Sequence, residues 1–578
     1  MRIHIADKIK TLCTIASILA AIAICAEPAM AAPEVNAGEI ARSSSAKTTP
    51  VGISDDRIKQ SENNIWAETG AAKDFRTLAL ASLHMFSTGS RQALTELAAV
   101  KNNSTPLDLL LLGTMESYDP QNHGRGVRSL NLITDIYRNY NYSSAAAYFH
   151  LGISKAFMGG DSSGGADILA EIEELPANPF QDHAHFYRGI LLMMSGITKG
   201  WTENLEMAAK KPILQNRGPA AYGTMDDSRF MLAWGNHYIL GELQNAARQY
   251  RKLLSDYPGS PYIPEAMYQL AKISLATGDT QMAMDLFQQC LKLSSAQPRI
   301  RDCRSMIALI ESKNAKKIAI KMNILKSADL ISGKRALRDF AAMWNRTGPP
   351  LTMKDLEKRL DIYGKKHPAS PLTPLSEALR GLGRLASGDC KRAGECFAEH
   401  SSKWFGALGT ELIASRSALL CDDNDPEKRV LAVNALSLNC PLDPEIPLQR
   451  ALNAIALTFL GNEFQKGHQQ TLEIDGKVQE FQQVSCFIKA IADMENENDN
   501  DALSSLQESI DKYFQSPLSD DAQFIMAEII YKKWVGKKSE KSRRMALMAY
   551  QKLLLDNPKT EYAARTAERI SSLGASKK

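Results

Sequence analysis

Tyr250-Arg-Lys-Leu-Leu-Ser-Asp-Tyr-Pro258-Gly-Ser-Pro-Tyr262 and Tyr550-Gln-Lys-Leu-Leu-Leu-Asp-Asn-Pro558-Lys-Thr-Glu-Tyr562 read as one phrase written twice. Pro258-Gly-Ser-Pro-Tyr-Ile-Pro264 returns as Pro368-Ala-Ser-Pro-Leu-Thr-Pro374, 110 residues on. The same offset holds without a gap at Leu275/Leu385, Ala276/Ala386, Gly278/Gly388, Asp279/Asp389, Ala283/Ala393 and Phe287/Phe397. A shorter period runs inside it. Gly241 is followed by Ala246 and Tyr250, and Gly278 by Ala283 and Phe287; the two glycines are 37 apart. Self-similarity on this scale marks a repeat protein.

Each unit has a direct physical reading. An apolar helix ends at a glycine, which takes the left-handed conformation without steric penalty. A second helix begins within a few residues. Its alanine sits where two helices cross closely, and the aromatic one turn later fills the groove between them. A proline then stops the helix, as Pro258 and Pro558 do. Each hairpin has one face left to bury, so hairpins stack into a solenoid.

This pattern resembles the tetratricopeptide repeat. With Gly241 as the turn glycine, Ala246, Tyr250, Leu253 and Pro258 fall on the family's small, aromatic, apolar and proline positions. Gly278 does the same for Ala283, Phe287 and Cys290, Gly388 for Ala393 and Phe397, and Ala546, Tyr550, Leu553 and Pro558 match again. The phrasing is similar to the subtype of the BamD-like outer-membrane-assembly lipoproteins and of the periplasmic repeat proteins associated with Tol–Pal. Departures occur at Ala233 and Trp234, at Arg380 in place of a Leu270 equivalent, and in the expanded loop from Gly536 to Lys541. The resemblance implies a concave groove lined by first helices, which takes an extended or helical segment of a partner. Met231, Tyr238, Glu265, Tyr268 and Lys272 are the groove-facing residues it implies.

Composition agrees with a helical, ordered chain. Of 578 residues, 44% are hydrophobic, 23% charged and only 7% aromatic. That excludes wholesale disorder, a collagen-like chain and a disulfide-dense scaffold. Lys+Arg 69 against Asp+Glu 65 gives +4, so no strong field favours nucleic acid.

The N-terminus reads as an export signal. Arg2, Lys8 and Lys10 precede a mostly apolar run from Thr11 to Ala26, and Ala29-Met30-Ala31 offers small residues to a signal peptidase. The run is shorter than a membrane span requires, and no later stretch is long and apolar enough. Cleavage after Ala31 removes three bases and two acids, which leaves +3. Cys25 follows the bulky Ile24, which argues against a lipid anchor. Seven cysteines remain, and export permits disulfides. Candidate pairs are Cys290–Cys303, Cys390–Cys396 and Cys421–Cys440, with Cys486 free; buried thiols acting as small hydrophobes are the alternative. No Cys-x-x-Cys spacing points to zinc.

Other motifs carry little chemistry. His183 and His185 lie two apart, so one helix face cannot aim both at one ion; ordinary helix surface is expected. Glu116-Ser117 brings to mind the catalytic glutamate of superhelical lytic transglycosylases, without their glycine-rich segment or lysozyme-like domain. Gly124, Gly126, Gly159, Gly160, Gly164 and Gly165 read as turn glycines, not phosphate loops. Lys532, Lys533, Lys537, Lys538, Lys541, Arg543 and Arg544 form a basic cluster that offers peripheral contact with a membrane or other anionic surface. Asp493, Glu495, Glu497, Asp499 and Asp501 form an acidic one. Both read as solvated loops.

The expectation is an all-α solenoid of stacked antiparallel hairpins. A signal peptide spans 1–31 and a flexible leader 32–60. Degenerate hairpins fill 61–220, with helices at 75–86, 91–100, 107–116, 127–137, 145–158, 166–175, 183–195 and 201–210. Repeats follow at 221–298, a Lys-rich helical connection at 299–350, further repeat-like helices at 351–515, and a last repeat with its capping helix at 516–578. Within 351–515, helices are expected at 448–460, 478–494 and 502–514. The function implied is an exported, periplasmic, non-enzymatic scaffold that holds protein partners, without cofactor or metal, in outer-membrane or envelope assembly. A periplasmic part of a polysaccharide-export apparatus and a superhelical peptidoglycan-acting enzyme are the alternatives.

Overall fold

A turn found after three of the helices shows why the phrase repeats. The Ser260 N–H donates to the Tyr257 carbonyl (2.9 Å), Ser370 to His367 (3.0 Å) and Thr560 to Asn557 (3.1 Å). In each, proline occupies the second position of a β-turn, where its fixed φ is already correct. The hydroxyl of Ser260, Ser370 or Thr560 then accepts the N–H two residues on, at 3.2, 3.2 and 3.4 Å. One short motif stops a helix, reverses the chain and begins the next helix.

A computed structural model describes residues 65–84, 106–209, 224–345, 352–395, 446–512 and 518–575, with short gaps inside these spans. They hold 22 α-helices and, among the described residues, no strand. These are α1 (Gly70–His84), α2 (Pro106–Tyr118), α3 (His123–Ile136), α4 (Asn141–Phe157), α5 (Ser162–Ala170), α6 (Gln181–Met194) and α7 (Thr198–Ala208). Then follow α8 (Met225–Trp234), α9 (Leu243–Asp256), α10 (Ile263–Ala276), α11 (Thr280–Leu293), α12 (Gln297–Glu311), α13 (Ala315–Trp344), α14 (Met353–Lys366) and α15 (Leu372–Ala386). The last seven are α16 (Ile446–Phe459), α17 (Phe464–Leu472), α18 (Gln479–Glu495), α19 (Asp499–Lys512), α20 (Ser519–Lys537), α21 (Glu540–Asp556) and α22 (Ala563–Ala575). Sequence neighbours pack as antiparallel hairpins, giving an all-α solenoid.

The repeat residues take the places their types require. Ala246, Tyr250, Ala283, Phe287, Ala393, Ala546 and Tyr550 are fully buried. Gly241 (φ 74°) and Gly278 (φ 92°) are left-handed, as their turns demand. Pro258 and Pro558 stay exposed at the turns. Tyr262 stacks on Phe230 (4.3 Å between centroids) and Tyr562 on Phe524 (4.0 Å), locking successive hairpins. Arg380 is tolerated in a repeat position because Asp361 (2.7 Å) and Glu377 (3.0 Å) neutralise it.

Most predicted helices lie within a few residues of those observed. Several details differ. The predicted helix at 166–175 breaks into α5 and a 3-10 turn, Glu171–Glu174. Gly126 and Gly165 lie within helices, not turns: a Cβ at Gly126 would come within 2.1 Å of the Ser117 nitrogen, and at Gly165 within 2.6 Å of the Gly152 carbonyl. His183 and His185 are buried rather than on the surface, because α6 has helices on both sides. His185 Nδ1 meets Asn204 Oδ1 (3.2 Å), and His183 stands edge-on to Phe149. Arg543 leaves the basic cluster, turning inward to the Leu573 carbonyl (2.8 Å). The signal peptide, the leader, the predicted helix at 91–100, Gly388, Phe397 and the pairs Cys390–Cys396 and Cys421–Cys440 lie outside the described residues.

The stack also closes on itself, which local periodicity does not announce. α1 packs against α16, far along the chain. Trp66, fully buried, stands edge-on to Phe459 (5.8 Å) and Phe464 (5.6 Å), and its Nε1–H donates to Glu495 (2.7 Å). The first amides of a helix lack internal acceptors. Here Gly70 N–H donates to the Tyr562 hydroxyl (2.8 Å), Ala71 N–H to Asp521 Oδ1 (2.9 Å) and Ala72 N–H to Thr69 Oγ1 (3.2 Å). The last repeat thus caps the first described helix.

Burial pushes the Asp521 carboxyl up to about 7, with Asp520 and Glu561 adding repulsion. A carboxyl near 4 when unfolded holds its proton more tightly here in the folded state. Stability at this junction therefore falls as pH rises from about 4 to about 7. Amide exchange at Gly70 and Ala71, corrected for intrinsic rates, should be slower at pH 5 than at pH 8. Asp521→Asn should flatten that dependence; an unchanged slope would refute the assignment.

Candidate functional site

The inner face of the best repeats is the place to look for a partner. α8 runs on through a π-helical segment, Gly235–Leu240. A Cβ at Gly235 would meet the Trp201 ring at 2.5 Å, so only glycine lets α7 and α8 approach this closely. The π segment carries His237 and Tyr238, and the latter stacks on Trp234 (5.7 Å). A π-bulge re-aims side chains at the cost of regular hydrogen bonding.

The face so built is already filled by the chain's own helix. α13, 30 residues long, lies along the π segment and α10. Lys272 Nζ pairs with Asp329 at 2.6 Å, both side chains largely buried. Its ammonium also reaches Gln269 (3.2 Å) and sits over the rings of Tyr238 (5.8 Å) and Tyr268 (5.6 Å). His237 Nε2 lies 3.5 Å from Asp329. Burial, with Lys272 beside it, pushes His237 down to about 3, so it stays neutral. Gly333 lets α13 touch the wall: a Cβ there would come within 2.5 Å of Tyr238 Cβ and 2.6 Å of its carbonyl.

The five residues named from the sequence as groove-facing therefore meet protein. Met231 is fully buried, Tyr268 and Lys272 nearly so, and Tyr238 and Glu265 half-buried. Arg299 of α12 closes the lower end, pairing with Glu265 (2.5 Å) and lying 3.9 Å over the Tyr268 ring. The structure brings four of the five into one polar and aromatic cluster, and Met231 into the core behind it. The residue that completes the cluster, Asp329, is one of only two carboxylates among the seven cations of 315–344. That imbalance was its sequence signal.

The other candidates are spent on packing. Glu116 is 1% exposed, its Oε1 2.9 Å from Arg125, and burial raises its carboxyl. Among the described residues no three His, Cys, Asp or Glu side chains converge as a metal site. No described helix is long and apolar enough to cross a membrane. Cys290 and Cys303 are buried thiols with sulfurs 3.2 Å apart, and the Cys290 Sγ–H donates to the Pro264 carbonyl (3.2 Å). Cys486 is half-buried.

Two expectations follow. Asp329→Ala leaves the Lys272 ammonium buried without its counter-ion, at a cost of roughly 3–5 kcal/mol. Gly333→Val forces α13 off Tyr238, at a cost of about 1–3 kcal/mol or more. Each should open α13 to trypsin at Lys326 and Lys334, while the wild type is cut slowly; equal rates would contradict the filled groove. Refolding in oxidised glutathione should join Cys290 to Cys303, each pair of thiols passing two hydrogens to the oxidant. Recovery of both as maleimide-reactive thiols would count against it.

Residues 227–260 and 265–294 match the tetratricopeptide repeat family model. No curated protein matches this chain. Among solved structures, the chain is similar to Naa15/Naa10 bound to HypK-THB, at 13% identity and a TM-score of 0.29, covering 87% of this chain and 79% of that one. It is also similar to the APC/C hetero-tetramer Cut9-Hcn1, at 12% identity and a TM-score of 0.23, covering 83% and 92%. The two matched stretches lie in the segment whose inner face α13 occupies.

Proposed function

We propose that the chain is an exported scaffold that holds protein partners in the cell envelope, without a catalytic step. The observation that carries this reading is the repeat itself. Ala246/Tyr250, Ala283/Phe287 and Ala546/Tyr550 are fully buried at the same spacing in separate hairpins, and such stacks expose extended surfaces that suit protein recognition. The envelope setting rests on the N-terminal order of bases, apolar run and Ala29-Met30-Ala31. Outer-membrane assembly is the pathway that the repeat phrasing favours. The reading transfers no role to Glu116.

Purification of the full chain from crosslinked envelopes of its own cells tests this. The mature protein should begin at Ala32. It should bring β-barrel-assembly or Tol–Pal components above the level of an unrelated exported control. An uncleaved N-terminus in the cytosol, or recovery no different from the control, would overturn the proposal.

A further inference from the structure

The outer side of α13 is strongly cationic. Its seven Lys and Arg against two Asp give +5 on one helix, more than the +4 of the whole chain. Both carboxylates face inward: Asp329 is held by Lys272, and Asp339 by Lys366 (2.6 Å) and His367 (2.8 Å). Among the described residues, Arg338 is the one cation of the helix that leans back on Asp339, at 3.5 Å. Lys316, Lys317, Lys321, Lys326, Lys334 and Arg335 are exposed. Between them Ile320, Ile324 and Ile331 stand 53%, 59% and 59% exposed.

The geometry points to a docking surface for an acidic amphipathic helix of a protein partner. At about 100° per residue, the three isoleucines fall within roughly 40° of arc. With Ser327 they follow the 4-3-4 spacing of a helix-pairing seam. Lys317 and Lys334 take the next seam positions at either end, and Lys321 and Arg335 flank it. A lipid surface calls for an apolar face of about 100° or more, which this stripe lacks. A second copy would set the same cationic face against itself, and like charges across a seam repel. Carboxylates flanking a narrow apolar ridge on a partner helix satisfy both features. The inference rests on the scaffold reading and names its partner's chemistry; it also moves the contact from the filled inner face to the back of the helix that fills it.

A photo-crosslinking residue at Ile324 in the full chain, in its own cells, tests this. Ile136, 66% exposed on another helix, is the control position. The expected result is an adduct with another polypeptide, whose linked segment is net acidic with apolar residues three and four apart. Lys317→Glu with Lys321→Glu and Lys334→Glu should lower its yield by about tenfold or more, and Lys→Arg at the same sites should preserve it. Unchanged thermal melting keeps the comparison fair. A lipid adduct, an adduct with a second copy, a yield blind to charge reversal, or no adduct beyond that at Ile136 would each overturn the proposal. If envelope purification still recovers partners while Ile324 links none, this surface falls and the scaffold reading stands.

Discussion

A lysine and an aspartate taken out of water together govern the middle of this molecule. Lys272 and Asp329 are 57 positions apart in sequence and 2.6 Å apart in space. Burying either alone is costly, and their attraction repays desolvation only with good geometry and further partners. Those partners are present: Gln269 accepts from the ammonium, and Tyr238 and Tyr268 offer ring faces. The pair fixes the register of α13 along the repeats. It also decides that their inner face is core rather than open groove, which directs any partner elsewhere.

The second organising contact is the closure of the stack. An open solenoid has two ends to cap. Here the last repeat supplies Tyr562 and Asp521 to the first amides of α1, while Trp66 and Phe75 bury themselves among Phe459, Phe464 and Phe487. A helix N-terminus favours negative charge, but burial opposes it, so Asp521 is held between these demands. A junction of this kind responds to pH without being a site of chemistry.

The repeats were legible because their contacts are local. Ala246 and Tyr250 meet residues of their own and neighbouring hairpins, so spacing alone specifies them. Ser260, Ser370 and Thr560 are legible as a motif, though their paired turn and capping role emerge only in the folded chain. The filling of the inner face is not legible in the sequence, for the opposite reason. A Lys-rich segment reads as surface, and half of it is; the inward half depends on Gly333, Ala336 and Asp329 meeting walls that sequence distance hides. The two histidines of α6 and Arg543 were misplaced likewise, since a polar side chain in a twice-packed helix is buried by neighbours that its own spacing does not reveal.

The central claim is that α13 fills the inner face of the repeats as a permanent part of the core. Amide hydrogen exchange of the wild-type full chain tests it most directly. Amides at 322–340 should be protected to the same degree as those of α9 at 246–253, whose alanine and tyrosine sit in the repeat core. Exchange at 322–340 close to that of an exposed, freely opening helix would contradict the account and return the groove to an outside partner.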